Sequence, residues 1–182
     1  TYARLPAHPL AVAASQLQDE HGAYSSRGVS EAFRLCEAEQ PELVRWLNRK
    51  LEGRQDDAAR GLGAAMAMTI WLGFRFFARD RLGIVRENDC TAVEALVRAD
   101  LELRREDPKA VLESDDIIAA HQPEVAKQVR AHVDEILAKF AEGIDIDEVD
   151  AVYQVLLIQV LALSYAIKLP RGGLGTQTSG LC

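Results

Sequence analysis

The sequence predicts an all-α fold of six to seven helices, in which two long uncharged helices form the centre and amphipathic helices surround them. Three observations predict it. Apolar residues recur at helical spacing along most of the chain. The runs from Gly61 to Phe74 and from Ala151 to Ile167 contain no charged residue. No segment alternates like a half-buried strand; Val152 to Val160 holds β-branched residues, but inside a run far longer than a strand. With 182 residues, 48% of them hydrophobic and 27% charged, the chain is long enough to bury one core, so a single domain over 1–182 is expected.

Residues 1–25 hold Pro6 and Pro9 and no sustained period, which predicts an irregular N-terminal arm with one short helical turn around Val12 to Leu17. Ser30 to Glu39 reads as a short helix with Ser30 as its N-cap, stopping before Pro41. Pro41 opens the next helix, where its missing N–H costs nothing, and Glu42 sits where the macrodipole favours a carboxylate. Its stripe is Leu43, Val44, Trp46, Leu47 and Leu51, and Gly53 stops it. Asp56 and Asp57 start the first long helix, which runs through Met66, Trp71 and Phe77 toward Gly83. Because its first turns are apolar all round and rich in Gly and Ala, it belongs among closely approaching neighbours.

Asp89 caps a connecting helix over 89–107 with Val93, Leu96, Val97 and Leu101 as its apolar positions, closed by Asp107-Pro108. Ser114 to His121 predicts a short helix. Gln122 to Glu142 predicts an amphipathic one, with Val125, Val129, Val133, Ile136, Leu137 and Phe140 on one face. Asp147 to about Leu169 is the second long helix, ended by Pro170, and 170–182 is a Gly-rich tail.

The two halves share a plan. Gln40-Pro41-Glu42 and Gln122-Pro123-Glu124, offset by 82 residues, each follow a short helix and precede an amphipathic helix, acidic residues and a long uncharged helix. Residues 26–83 and 114–169 are therefore read as two half-repeats, with Met66, Ile70 and Phe74 matching Leu157, Leu161 and Tyr165. The competing account is that Pro-Glu is simply a good helix start, favoured independently in both places. On either account two helices lacking a polar face need burial on all sides, and each can cover the other.

The net charge of −7 disfavours nucleic acid and anionic lipid. Both uncharged runs fall short of the ~20 residues a membrane span needs, so no membrane partner is expected. Three sparse cysteines, Cys36, Cys90 and Cys182, suit a reducing compartment, and the N-terminal apolar piece is too short and weakly flanked for a secretory signal; a soluble, cytoplasmic protein is expected.

Motifs for chemistry are thin. His121, Glu124, His132 and Asp134 place no two imidazoles on one stripe. Asp145, Asp147, Glu148 and Asp150 lack the glycine and glutamate of a calcium loop and read better as a capped helix entrance. The Glu39/Glu42 pair lacks the second acidic pair of a carboxylate metal centre, and Arg171-Gly-Gly-Leu-Gly follows a helix, not a strand. No metal, no cofactor and no catalytic residue is expected. Cys36 and Cys90 read as small core hydrophobes. Two functional classes follow. The first is a non-enzymatic interaction module, a homo-oligomer or binder of a protein partner through an apolar helix face left over from the core. The second is a small-molecule binder or enzyme with a pocket between the central helices, near Trp71, Phe74, Gln154, Gln159 and Tyr165, where amides in apolar surroundings need partners.

Overall fold

A computed structural model describes residues 4–106, 122–139 and 145–168. Among these residues the chain forms seven α-helices and no strand beyond two isolated bridges. They are α1 (Ala7–Leu17), α2 (Ser26–Glu39), α3 (Pro41–Glu52), α4 (Asp57–Ala78), α5 (Glu87–Glu106), α6 (Pro123–Lys139) and α7 (Ile146–Ala166), with a short 3₁₀ turn over Arg79–Arg81. The sequence-predicted helix over Ser114 to His121 and the tail over 170–182 lie outside the described residues.

The two uncharged helices lie side by side and run in the same direction. Asp145 N–H donates to Asp56 Oδ2 at 3.4 Å where both begin, and Gln159 Nε2 donates to the Ala67 carbonyl at 2.8 Å midway. Gly83 N–H donates to the Ala166 carbonyl at 2.9 Å where both end. Parallel neighbours align their macrodipoles unfavourably, so each end needs counter-charge. Asp56, Asp57, Asp145, Asp147 and Glu148 supply it at the N-terminal end, and Arg79, Arg81 and Lys168, with Asp80 among them, at the other, where Arg75 is paired with Glu39 at 2.7 Å. The acidic entrance read in the sequence is thus shared by two helices. Asp56 accepts from Ala58 N–H and Ala59 N–H, and these bonds, led by that from Ala59, hold its carboxyl below the ordinary value.

Small residues allow the close approach. A Cβ on Gly63 would lie 2.7 Å from Val152 Cγ1, so glycine is the residue that fits. Helices α1, α2, α3 and α7 all pack on α4, while α7 also meets α5 and α6. By length and composition α4 and α7 are apolar enough to cross a membrane, and 67% of each apolar window is buried inside the protein.

The irregular arm expected over residues 1–25 is corrected by the structure. Ala7–Leu17 is helical and packs along α4, burying Leu10, Ala13 and Leu17. Pro6 serves as its N-cap and Pro9 falls in its first turn, where proline is tolerated; both prolines that argued against a helix stand at its start. Helix α2 likewise begins four residues before the expected cap, because Ser25 accepts from Gly28 N–H at 3.3 Å. Helix α5 begins at Glu87, with the Asp89 carboxylate accepting from Arg86 N–H at 2.8 Å.

Two buried glutamines fasten distant segments. Gln40 accepts from Val85 N–H at 2.8 Å and donates to the Gly83 carbonyl at 2.9 Å, fixing the α4–α5 connection. Gln122 accepts from Leu5 N–H at 2.7 Å and donates to Ser164 Oγ at 3.0 Å, tying the N-terminus to α6 and α7. Each amide answers backbone or hydroxyl groups that burial would otherwise orphan.

Candidate functional site: an apolar groove between α5 and α7

Helix α5 follows the connection that lies against the end of α7, so the two helices run antiparallel and their furrow opens to solvent. Val93 and Ala162 are buried at its base, with the half-buried Ala166 and the exposed Ala92 beside them. Ile84, Leu96 and Tyr165 form the rim, Asp89 marks one end, and the furrow encloses about 250 Å³. Of the five large apolar side chains exposed among the described residues, these three rim residues gather here, Ile84 at 64%, Leu96 at 52% and Tyr165 at 42%. Exposed apolar residues scattered singly need no explanation, whereas a cluster lining a concavity marks a binding face.

Local sequence explains the geometry. Val93 and Val97 on α5 are buried, and Lys50–Glu94 (2.8 Å) and Arg49–Glu87 ion pairs fasten α5 to α3. With α3 on one flank and α7 beneath, the stripe through Ala92 and Leu96 is left facing outward. Ala162 and Ala166 keep its base low between larger neighbours. The side chains that line the furrow are those of an apolar contact surface, with one carboxylate and no assembled nucleophile and base.

The five residues singled out in the sequence differ in exposure. Trp71, Phe74 and Gln159 are fully buried in the core. Gln154 lies half-exposed on α7 and donates to Asp150 Oδ2 at 3.2 Å. Tyr165 alone reaches the groove. Trp71 Nε1 and Gln159 Oε1 are buried without a hydrogen-bond partner among the described residues. A half-open dent of about 10 Å³ beside α4, under Leu10, Met66 and Ile70, is too small for more than about one water.

Helical spacing groups Leu96 with Val93 and Val97 as apolar positions of α5, and it gives Ile84 no role. The available signal was that Ala92, Leu96 and Ala99 extend the apolar stripe of α5 beyond what its two valines require. Cys36 and Cys90 are buried free thiols. Burial drives both pKa values up, Cys90 to about 12 with the Asp89 and Glu87 charges adding, which makes them poor nucleophiles. No group of three or more metal-ligating side chains occurs among the described residues.

The fold and groove define an all-α domain with an open apolar interhelical furrow. No family model, curated protein or solved structure matches the chain significantly.

Proposed function

We propose that this chain is a non-enzymatic helical interaction module that engages a protein partner through the α5–α7 groove. One observation carries the reading: Ile84, Leu96 and Tyr165, each left in water, surround a single concavity. Burying such a rim returns roughly 25 cal/mol per Å² of apolar surface, and helix-in-groove recognition uses this kind of furrow. The module is taken to be soluble and cytoplasmic, supported by two free thiols and a net charge of −7. We also read the halves as a duplication, supported by Gln40 and Gln122, which both precede a proline-initiated helix and both lock a remote segment.

A photoreactive benzoylphenylalanine placed at exposed Ala92 tests the reading in cells that express the chain. Protein adducts are expected at position 92 and not at a control position, Arg27, on α2. Absence of adducts at both positions, or equal yields, would overturn it.

A further inference from the structure

We infer that this chain is an internal pair: two copies of one helical unit, residues 5–78 and 85–167, joined in tandem and bound to each other through a self-complementary face. The pairing rests on the duplication of the halves and adds the extent of the unit and the axis between the copies. Helix α5 is the counterpart of α1. At an offset of 80 residues, Leu5, Leu10, Ala13 and Leu17 correspond to Val85, Cys90, Val93 and Val97, and all of them are buried. At 82 residues, Leu43, Val44 and Leu47 of α3 correspond to Val125, Ala126 and Val129 of α6, again all buried. The N-caps Asp56 and Asp145 set α4 on α7 at 89 residues. Met66, Ile70 and Phe74 then correspond to the buried Val155, Gln159 and Leu163, two residues short of the match read from the sequence. The counterpart of α2 falls outside the described residues.

Helical spacing alone would line up any two amphipathic helices, whereas the contacts between the units are specific to a two-fold pair. A self-complementary interface repeats every contact with the roles exchanged. Gln40 of the first unit accepts at 2.8 Å from Val85 N–H, which opens the second unit. Its counterpart Gln122 in the second unit accepts at 2.7 Å from Leu5 N–H, which opens the first. The helices follow the same rule: α3 meets α5 across the pair as α6 meets α1, and α1 packs on α4 as α5 packs on α7. Residues beside a two-fold axis touch their own counterparts. Asp145 N–H donates to Asp56 Oδ2 at 3.4 Å, and a Cβ on Gly63 would lie 2.7 Å from Val152, its counterpart at 89 residues. Because α4 and α7 run in the same direction, the axis is parallel to both; a perpendicular one would reverse one of them.

Distances within the full chain test the pairing. In a Cys182→Ser background, with Cys36 and Cys90 buried, spin labels go on exposed positions. Ser15→Cys with Lys127→Cys spans the two units, and its two-fold mate is Ala95→Cys with Arg45→Cys. Pulsed electron-spin resonance should give the same distance for both pairs, within the spread of the label itself. Ser15→Cys with Arg45→Cys, and Ala95→Cys with Lys127→Cys, each lie inside one unit and should likewise agree. Hydrogen exchange reads the two glutamines. Gln40→Ala should speed exchange about tenfold or more at the start of α5 while sparing α1, and Gln122→Ala should do the reverse. Unequal distances across the units overturn the pairing: the duplication survives if the distances inside each unit still agree, and falls with the pairing if they differ. Loosening confined to the substituted glutamine's own unit, or equal in both, also overturns the pairing. None of these outcomes bears on the groove, which stands or falls with the adducts at Ala92.

Discussion

Replacing Arg79 by glycine is expected to stabilise the protein. Arg79 closes α4 at φ 49° and ψ −127°, the only positive φ at a non-glycine position among the described residues. A side chain in such a region costs about 1–3 kcal/mol and persists only where neighbours over-determine the backbone. They do so here. Immediately after the turn, Gly83 N–H is bound to Ala166 (2.9 Å), Lys168 N–H to Arg81 (2.8 Å), and Gln40 grips Gly83 and Val85. Glycine removes the strain but gives the unfolded chain more freedom, an offset of about 0.4–1 kcal/mol. Removing the guanidinium also forfeits about 0.3–1 kcal/mol of interaction with the helix terminus. Arg79→Ala is therefore the reference, since it loses the same charge and keeps the strain. Arg79→Gly should exceed Arg79→Ala by about 0.5–2 kcal/mol in urea denaturation, at about 2–4 °C of Tm per kcal/mol for a chain of this size. If alanine proves equal to or more stable than glycine, the clamped left-handed turn is wrong.

Three further expectations follow from packing and titration. Gly63→Ala should destabilise by about 1–2 kcal/mol because its methyl meets the stiff β-branched Val152 at 2.7 Å. Gly73→Ala should be near neutral, since the atom it meets at 2.8 Å is the end of the Leu10 side chain, which can turn aside while alanine improves helix propensity; equal losses at both sites in thermal melts would refute the distinction. In a Cys182→Ser background, native protein at pH 8 should leave both remaining thiols unmodified by a disulfide reagent, and both should react in denaturant. Fast native labelling would contradict the burial of Cys36 and Cys90. The Asp56 carboxyl is held below its ordinary value in the fold, so its contribution is present above about pH 4 and is lost as pH falls through the lowered folded value. Asp56→Asn should therefore narrow the stability difference between neutral and acidic pH, and an unchanged pH profile would count against the capping role.

Much of the fold was legible because helix formation and amphipathicity are local properties. The stripe Leu43, Val44, Trp46, Leu47 and Leu51 is buried as its spacing requires. The charge-free runs are two long helices in contact. The candidate site was not legible. Leu96 and Val97 are neighbours of like hydrophobicity, and nothing in the sequence says that one is covered at 6% exposure and the other left at 52%. The N-terminal helix was missed for a related reason: its two prolines are breakers inside a helix and compatible with its first turn, and only the starting point distinguishes these cases.

What the amino-acid order determined by itself is therefore the presence of the helices from α2 onward among the described residues, and which two must hide from water. Tertiary structure alone decided that these two run parallel, that acids gather at one end and bases at the other, and that α5 leaves a furrow open. Period and propensity act within a few residues of chain, whereas the uncovered face of a helix depends on which remote neighbours happen to reach it.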